Sequence, residues 1–193
     1  MDLYLYVFCV CEECFYGYLA DNLLGRGSLK NGEIHALYIV LDKIRNIWKP
    51  GDSLTLITSS KTLMDFIAKD RERLIGLKVD VQWIPEYLNK ARREAIRAYV
   101  ESAVSKLSRN ISSYVIRRIS ENILRGSVNG SSAIVFLSYS SGISMSCTCL
   151  EYSNMIVKRR LPLCMHIVAV ANTFNNIPEL VDSISTLLVG GEG

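Results

Sequence analysis

Residues 146–171 read SCTCLEYSNMIVKRRLPLCMHIVAVA, and the reading of the whole chain turns on them. Cys147 and Cys149 form a C-x-C pair; fourteen residues later Cys164 and His166 form C-x-H. Three thiolates and one imidazole make a closed tetrahedral donor set, the kind a single structural Zn²⁺ ion takes. The chain has only two histidines and six cysteines, so three of those cysteines and one histidine in one short stretch are informative. Residues 143–150 alternate as a strand does, which projects Cys147 and Cys149 from one face. Pro162 stands just before a predicted helix over 164–174, a favoured place for proline. A strand end and a helix start thus offer two ligands each across a loop. The competing reading is three buried cysteines and a satisfied core histidine. A disulfide fits less well, because strand neighbours two apart do not bridge easily.

Working outward, residues 131–137 and 143–150 predict a hairpin, with 126–132 as the turn that leads into it. The stretch 111–124 is predicted as a helix with Arg117 and Arg118 exposed, and 179–188 as a last short helix. Upstream, 89–107 predicts a long helix: Ala91, Ala95, Tyr99, Ala103 and Leu107 share one face. The front of the chain alternates element types. Strands are predicted over 3–11 and 15–20, and a loop with a brief third strand over 22–31. A helix follows over 33–48, then a strand at 54–58, a short helix at 59–68 and a strand at 79–84. This order predicts an α/β domain over residues 1–107, followed by a smaller α+β domain over 108–193.

The C-x-C, loop, C-x-H series leading into an apolar helix resembles the SWIM zinc finger in its strand-hairpin-helix setting. All four ligand positions, Cys147, Cys149, Cys164 and His166, are met. The resemblance spans residues 125–175 and implies one structural zinc ion. Residues 1–107 resemble a ribonuclease H-like domain, with NGEIHALYIVLDKI as its first helix, LTLITSS as its fourth strand and VDVQWIP as its fifth. NKARREAIRAYVESA stands where that family places its final helix. Enzymes of that kind hold two Mg²⁺ ions in clustered carboxylates. Here the expected positions fall at Cys9, Glu33, Ser59 and Arg93, and only Glu33 is acidic. A thiol, a hydroxyl and a guanidinium do not replace carboxylates, so the resemblance implies a non-catalytic scaffold. The alternative is a divergent metal-dependent nuclease in which Asp2, Glu12, Glu13 or Glu94 regroup around Glu33. Cys9, Cys11 and Cys14 read as small buried hydrophobes, or with His35 as a second metal site.

Composition narrows the function class without choosing it. A chain of 193 residues that is 49% hydrophobic is expected to bury a sizeable core. No stretch approaches the ~20 apolar residues of a membrane span. Residues 3–11 are apolar, but Asp2, Glu12 and Glu13 flank them, unlike a secretory leader. A reducing cytoplasmic setting with free or metal-bound thiols is therefore expected. A formal charge of +3 is mild, so basic clusters carry the case for nucleic acid. Lys158, Arg159 and Arg160 fall between the two ligand pairs; Arg117 and Arg118 precede the finger; Arg93 and Arg97 lie on the long helix. Such residues neutralise phosphates, which predicts DNA as a partner. SWIM-type proteins of recombination resemble accessory factors that bind RecA-family paralogues, which implies a role in DNA recombination or repair. A purely protein-binding regulator is the further alternative. Nothing in the chain suggests a small-molecule substrate: no glycine-rich phosphate loop or nucleophile elbow is present.

Overall fold

The computed structural model describes residues 1–49, 51–69, 78–139, 143–158 and 160–190. It divides into two compact units, Met1–Tyr99 and Val100–Gly193.

The first unit is a mixed α/β layer structure. Strands β1 (Asp2–Val10), β2 (Glu13–Ala20) and β3 (Leu23–Leu29) precede helix α1 (Glu33–Lys43). Strand β4 (Ser53–Thr58), helix α2 (Lys61–Lys69), strand β5 (Lys78–Trp83) and helix α3 (Arg92–Asn110) follow. The sheet order is β3-β2-β1-β4-β5. β1 and β4 pair in parallel, as do β4 and β5, so the chain must cross over between them through α1 and α2. The period of two along β1 explains the layering. Leu3, Leu5 and Val7 join Leu54, Leu56, Leu37, Val40 and Ile44 in one core. Tyr4, Tyr6 and Phe8 point to the opposite face, where Tyr6 packs with Ala91 and Ala95 at the start of α3. Phe8, Phe15 and Tyr99 form an aromatic cluster there, with Tyr99 edge-on to Phe15 at 5.1 Å between centroids.

The sheet segment expected as a loop over 22–31 is a full strand, because Tyr16 and Tyr18 pair with Gly27 and Gly25 and lay their rings over them. Helix α1 is shorter than its apolar stripe, ending at Lys43 before a turn that buries Trp48. Cys11 lies in the β1–β2 turn with φ 57°, not in the strand, so it does not share a face with Cys9.

In the second unit an antiparallel sheet runs in the order β6-β7-β8-β9, from β6 (Tyr114–Ser120), β7 (Ile123–Val128), β8 (Ser131–Ser138) and β9 (Ser144–Cys147). Helices α4 (Leu150–Val157), α5 (Met165–Thr173) and α6 (Ile177–Gly190) follow. α5 packs across all four strands, and α6 lies against α5 and β9. The helix expected over 111–124 is instead the β6–β7 hairpin. Its β-branched run Val115-Ile116 and Ile119 suits a pleated surface, and pairing with β7 buries Leu124 and Val128. Arg117 and Arg118 are therefore strand neighbours on opposite faces, not two residues of one helical surface. Between β7 and β8, Asn129 (φ 49°) and Gly130 (φ 83°) form a two-residue turn with both central residues left-handed, the Asn-Gly hairpin preference.

α5 accounts for why this unit coheres. His166 through Ala171 are all buried, so the helix is enclosed on every side. Apolar side chains from β7, β8 and β9 meet it from one side and Leu180, Val181 and Ile184 of α6 are buried with it. Among the described residues no helix is long and apolar enough to cross a membrane.

Candidate metal centre

Cys147 closes β9, and two residues later Cys149 caps the start of α4. Leu161-Pro162-Leu163 returns the chain to Cys164, the N-cap of α5, and His166 sits in the first turn of that helix. One ligand atom from each of the four residues lies within 4.8 Å of every other. Bonds of ~2.3 Å from a central ion to sulfur give a tetrahedron with edges of roughly 3.8 Å, so the four fit around one ion with small adjustment. Cys164 is fully buried and Cys147 and His166 nearly so, which leaves the centre largely screened from water. The structure thus brings together all four sequence-predicted ligands.

The imidazole supplies an independent sign. His166 Nε2 lies 3.0 Å from the backbone carbonyl oxygen of Ser131. A carbonyl only accepts, so Nε2 carries the hydrogen and Nδ1 carries the lone pair. Nδ1 is buried and has no hydrogen-bond partner among the described residues. Leaving such an acceptor unmet costs roughly 1–3 kcal/mol, and a metal ion removes that cost. A backbone carbonyl on the far nitrogen is also the usual way a ligand histidine is held in one tautomer.

Gly126 of β7 lies close to both the ring and β6: a Cβ there would stand 3.7 Å from His166 Cδ2, in ordinary contact, and 3.3 Å from Ile116 Cδ1, which is tight.

The sulfurs are set up for negative charge. The Cys149 N–H donates to Cys147 Sγ at 3.5 Å, and the Tyr152 N–H donates to Cys149 Sγ at 3.4 Å. The hydrogen bond from the Cys164 thiol pulls the Cys147 thiol down to about 6, against the opposing effect of burial. Donating that hydrogen pushes Cys164 the other way, with burial adding to the rise. Burial also raises Cys149. One thiolate is therefore ready at neutral pH, and two thiols still hold protons that an ion would displace.

The basic residues expected to accompany this centre separate. Lys158 is exposed at the C-cap of α4, a helix that occupies half of what the sequence suggested was a loop, and Arg160 is exposed just beyond it. Arg159 lies outside the described residues. Arg118 turns to the helix side of its sheet and stacks on Phe174, 5.6 Å from the ring centroid. Arg117 is on the other face, opposite Arg125. Arg93 is exposed on α3, whereas Arg97 is half-buried.

Three features escaped the sequence: helix α4, the Ser131 carbonyl behind His166, and Arg125. The C-x-C before Leu150 hid the cap, since Cys149 caps a helix through sulfur where Ser or Asp is the familiar signal. A carbonyl has no residue-type signature at all.

In the first unit the residues at the expected carboxylate positions have other partners. Cys9 and Cys14 stand directly opposite each other across β1 and β2 and are joined by a disulfide. The expectation of free thiols there, or of a second metal site with His35, is corrected. Hairpin pairing, not spacing along one strand, brings these two sulfurs together. Glu33 accepts a hydrogen bond from Ser60 Oγ. Glu94, buried on α3, forms an ion pair with Arg26 at 2.6 Å. Asn89 Nδ2 donates to the Leu5 carbonyl oxygen at 3.2 Å and to Ser59 Oγ at 3.3 Å.

No protein-family model, curated protein or solved structure matches the chain.

Proposed function

We propose that this protein is a zinc-binding interaction factor that contacts nucleic acid. Its C-terminal unit is a SWIM-type finger, and its N-terminal unit a ribonuclease H-like scaffold without a catalytic set. The observation that carries the reading is the largely buried group of Cys147, Cys149, Cys164 and His166, whose Nδ1 has no hydrogen-bond partner among the described residues. A bound Zn²⁺ would fasten the end of β9 to the starts of α4 and α5; its role is structural, because four protein ligands leave no open position for a substrate.

The order of three strands, helix, strand, helix, strand, helix in the first unit supports the scaffold reading. So do the partners of Glu33, Cys9 and Glu94, which leave no group of three acids among the described residues to hold a pair of Mg²⁺ ions. The exposed Lys158, at the C-cap of α4, and the exposed Arg160 support phosphate contact. A cytoplasmic accessory role in DNA recombination or repair follows from the SWIM resemblance. A protein partner, of which a RecA-family paralogue is one instance, is favoured by the apolar face of α4: Leu150 is 77% exposed and Val157 80%.

Metal analysis of protein purified without chelator should find one zinc per chain. Replacing Lys158, Arg159 and Arg160 by alanine should weaken DNA retention and flatten its salt dependence, by ~0.7–0.9 in the log–log slope for each lost phosphate contact. Zinc-free protein with intact fold would sink the metal reading; unchanged retention would remove these cations from the contact surface.

A further inference from the structure

β6 and β7 pair so that Arg117 stands directly opposite Arg125, and Val115 opposite Ser127. On the next strand Ser132 faces Ser127, Ile134 faces Arg125 and Phe136 faces Ile123. All of these alternate with Leu124, Gly126, Val128, Ala133, Val135 and Leu137, the buried residues of the face that α5 covers. They therefore share the sheet's open face. Val115 is 56% exposed there and Phe136 43%. Val115, Arg117, Arg125, Ser127 and Ser132 line a cleft of about 460 Å³.

Like charges directly opposite on a sheet face destabilise the pairing. Neither guanidinium has an ion pair or hydrogen bond with any described residue. Nothing within the sheet offsets the repulsion; an anion bridging the two forks would. Arginine forks match phosphate oxygens two at a time, and the serine hydroxyls beside them add donors. The exposed ring of Phe136 and the Val115 side chain give the same face an apolar platform.

We propose that this open face binds single-stranded nucleic acid, with Arg117 and Arg125 astride the phosphodiester backbone and Phe136 under a base. Duplex DNA is read by an element inserted into a groove. A broad sheet face with cations and an exposed aromatic suits splayed bases and a single backbone. The proposal rests on the nucleic-acid reading above; of the basic residues expected from the sequence it keeps Arg117, and it adds Arg125 and Phe136. It separates Arg117, which faces the cleft, from Arg118, which is occupied by Phe174 on the other side.

The test is fluorescence anisotropy of the full, zinc-loaded chain with a labelled oligothymidylate, its duplex with oligoadenylate, and a labelled polyglutamate peptide, across a salt series. Arg117→Ala with Arg125→Ala should lower single-strand affinity tenfold or more and reduce the log–log salt slope by about 1.4, at ~0.7 per phosphate. Phe136→Ala should cost at least fivefold with the slope unchanged. Circular dichroism and zinc content should match the parent protein, and Arg118→Ala serves as the control from the opposite face. Three results overturn the inference while leaving the broader reading standing: single-strand binding untouched by the double substitution, a requirement for the arginines in duplex binding only, or equal arginine-dependent capture of polyglutamate. Absence of any nucleic-acid binding by the parent protein at low salt overturns both.

Discussion

At the residue scale the protonation of the three ligand cysteines is unequal, and that has a measurable consequence. Cys147 is pulled down to about 6, so at pH 7 it is mostly thiolate; Cys149 and Cys164 are raised and still thiols. Binding zinc through all three sulfurs requires those two protons to leave. Zinc titration by calorimetry at pH 7, repeated in buffers of different ionisation heat, should give about two protons released per ion. The sign is fixed: acid favours the thiols, so affinity falls as pH falls, and steeply once Cys147 also protonates below about 6. Release of fewer than one proton would mean the three sulfurs do not all ligate.

The elements divide into those whose cause is local and those whose cause is not. Strands β1, β2, β4 and β5 and helices α1 to α3 were legible because apolar spacing and short turns mark them in sequence; β3, read as mostly loop, was not. The four ligands were legible because cysteine and histidine are scarce and their spacing is chemical. β6 was not. Its run Tyr114 to Ser120 also carries a helical stripe, and only pairing with β7 settles the choice, a contact that no local propensity encodes. The Cys9–Cys14 bond was hidden for the same reason: it depends on cross-strand register. Close approach between elements leads to a test of its own. Gly126→Val places a branched side chain where Ile116 Cδ1 already lies 3.3 Å from a single Cβ, beside the His166 ring. Overpacking of this kind costs typically 1–3 kcal/mol. Chemical denaturation should show that loss, and zinc affinity should fall with it because the ring is displaced from its carbonyl. Full affinity with lowered stability would place the strain elsewhere.

At the scale of the whole molecule, the first unit carries a disulfide and the second a Cys/His group that could hold a metal ion, so the two should respond to different reagents. The disulfide closes a short loop with a sequence separation of 5, for which chain entropy gives ~2 kcal/mol. An ion held by the four ligands would tie β9 to α4 and α5, and in small zinc-finger peptides the ion supplies ~10–16 kcal/mol of apparent folding energy. Hydrogen exchange read by mass spectrometry should therefore separate the units. Chelator, or Cys164→Ser, should strip protection from α5 and β9 while β1 and β4 keep theirs; reductant, or Cys14→Ser, should lower protection modestly in β1 and β2 alone. Equal losses in both units under chelator would contradict a metal centre confined to the second.

The Asn129-Gly130 bend reaches further than the hairpin it closes. Ser131, the first residue past it, offers the oxygen that orients a ring thirty-five positions along the chain. The tautomer of that ring, and so the identity of the atom facing the ion, is set by the shape of a two-residue corner. Lengthening the corner by one residue would leave most strand pairing possible, yet withdraw the carbonyl that holds the ring in one tautomer.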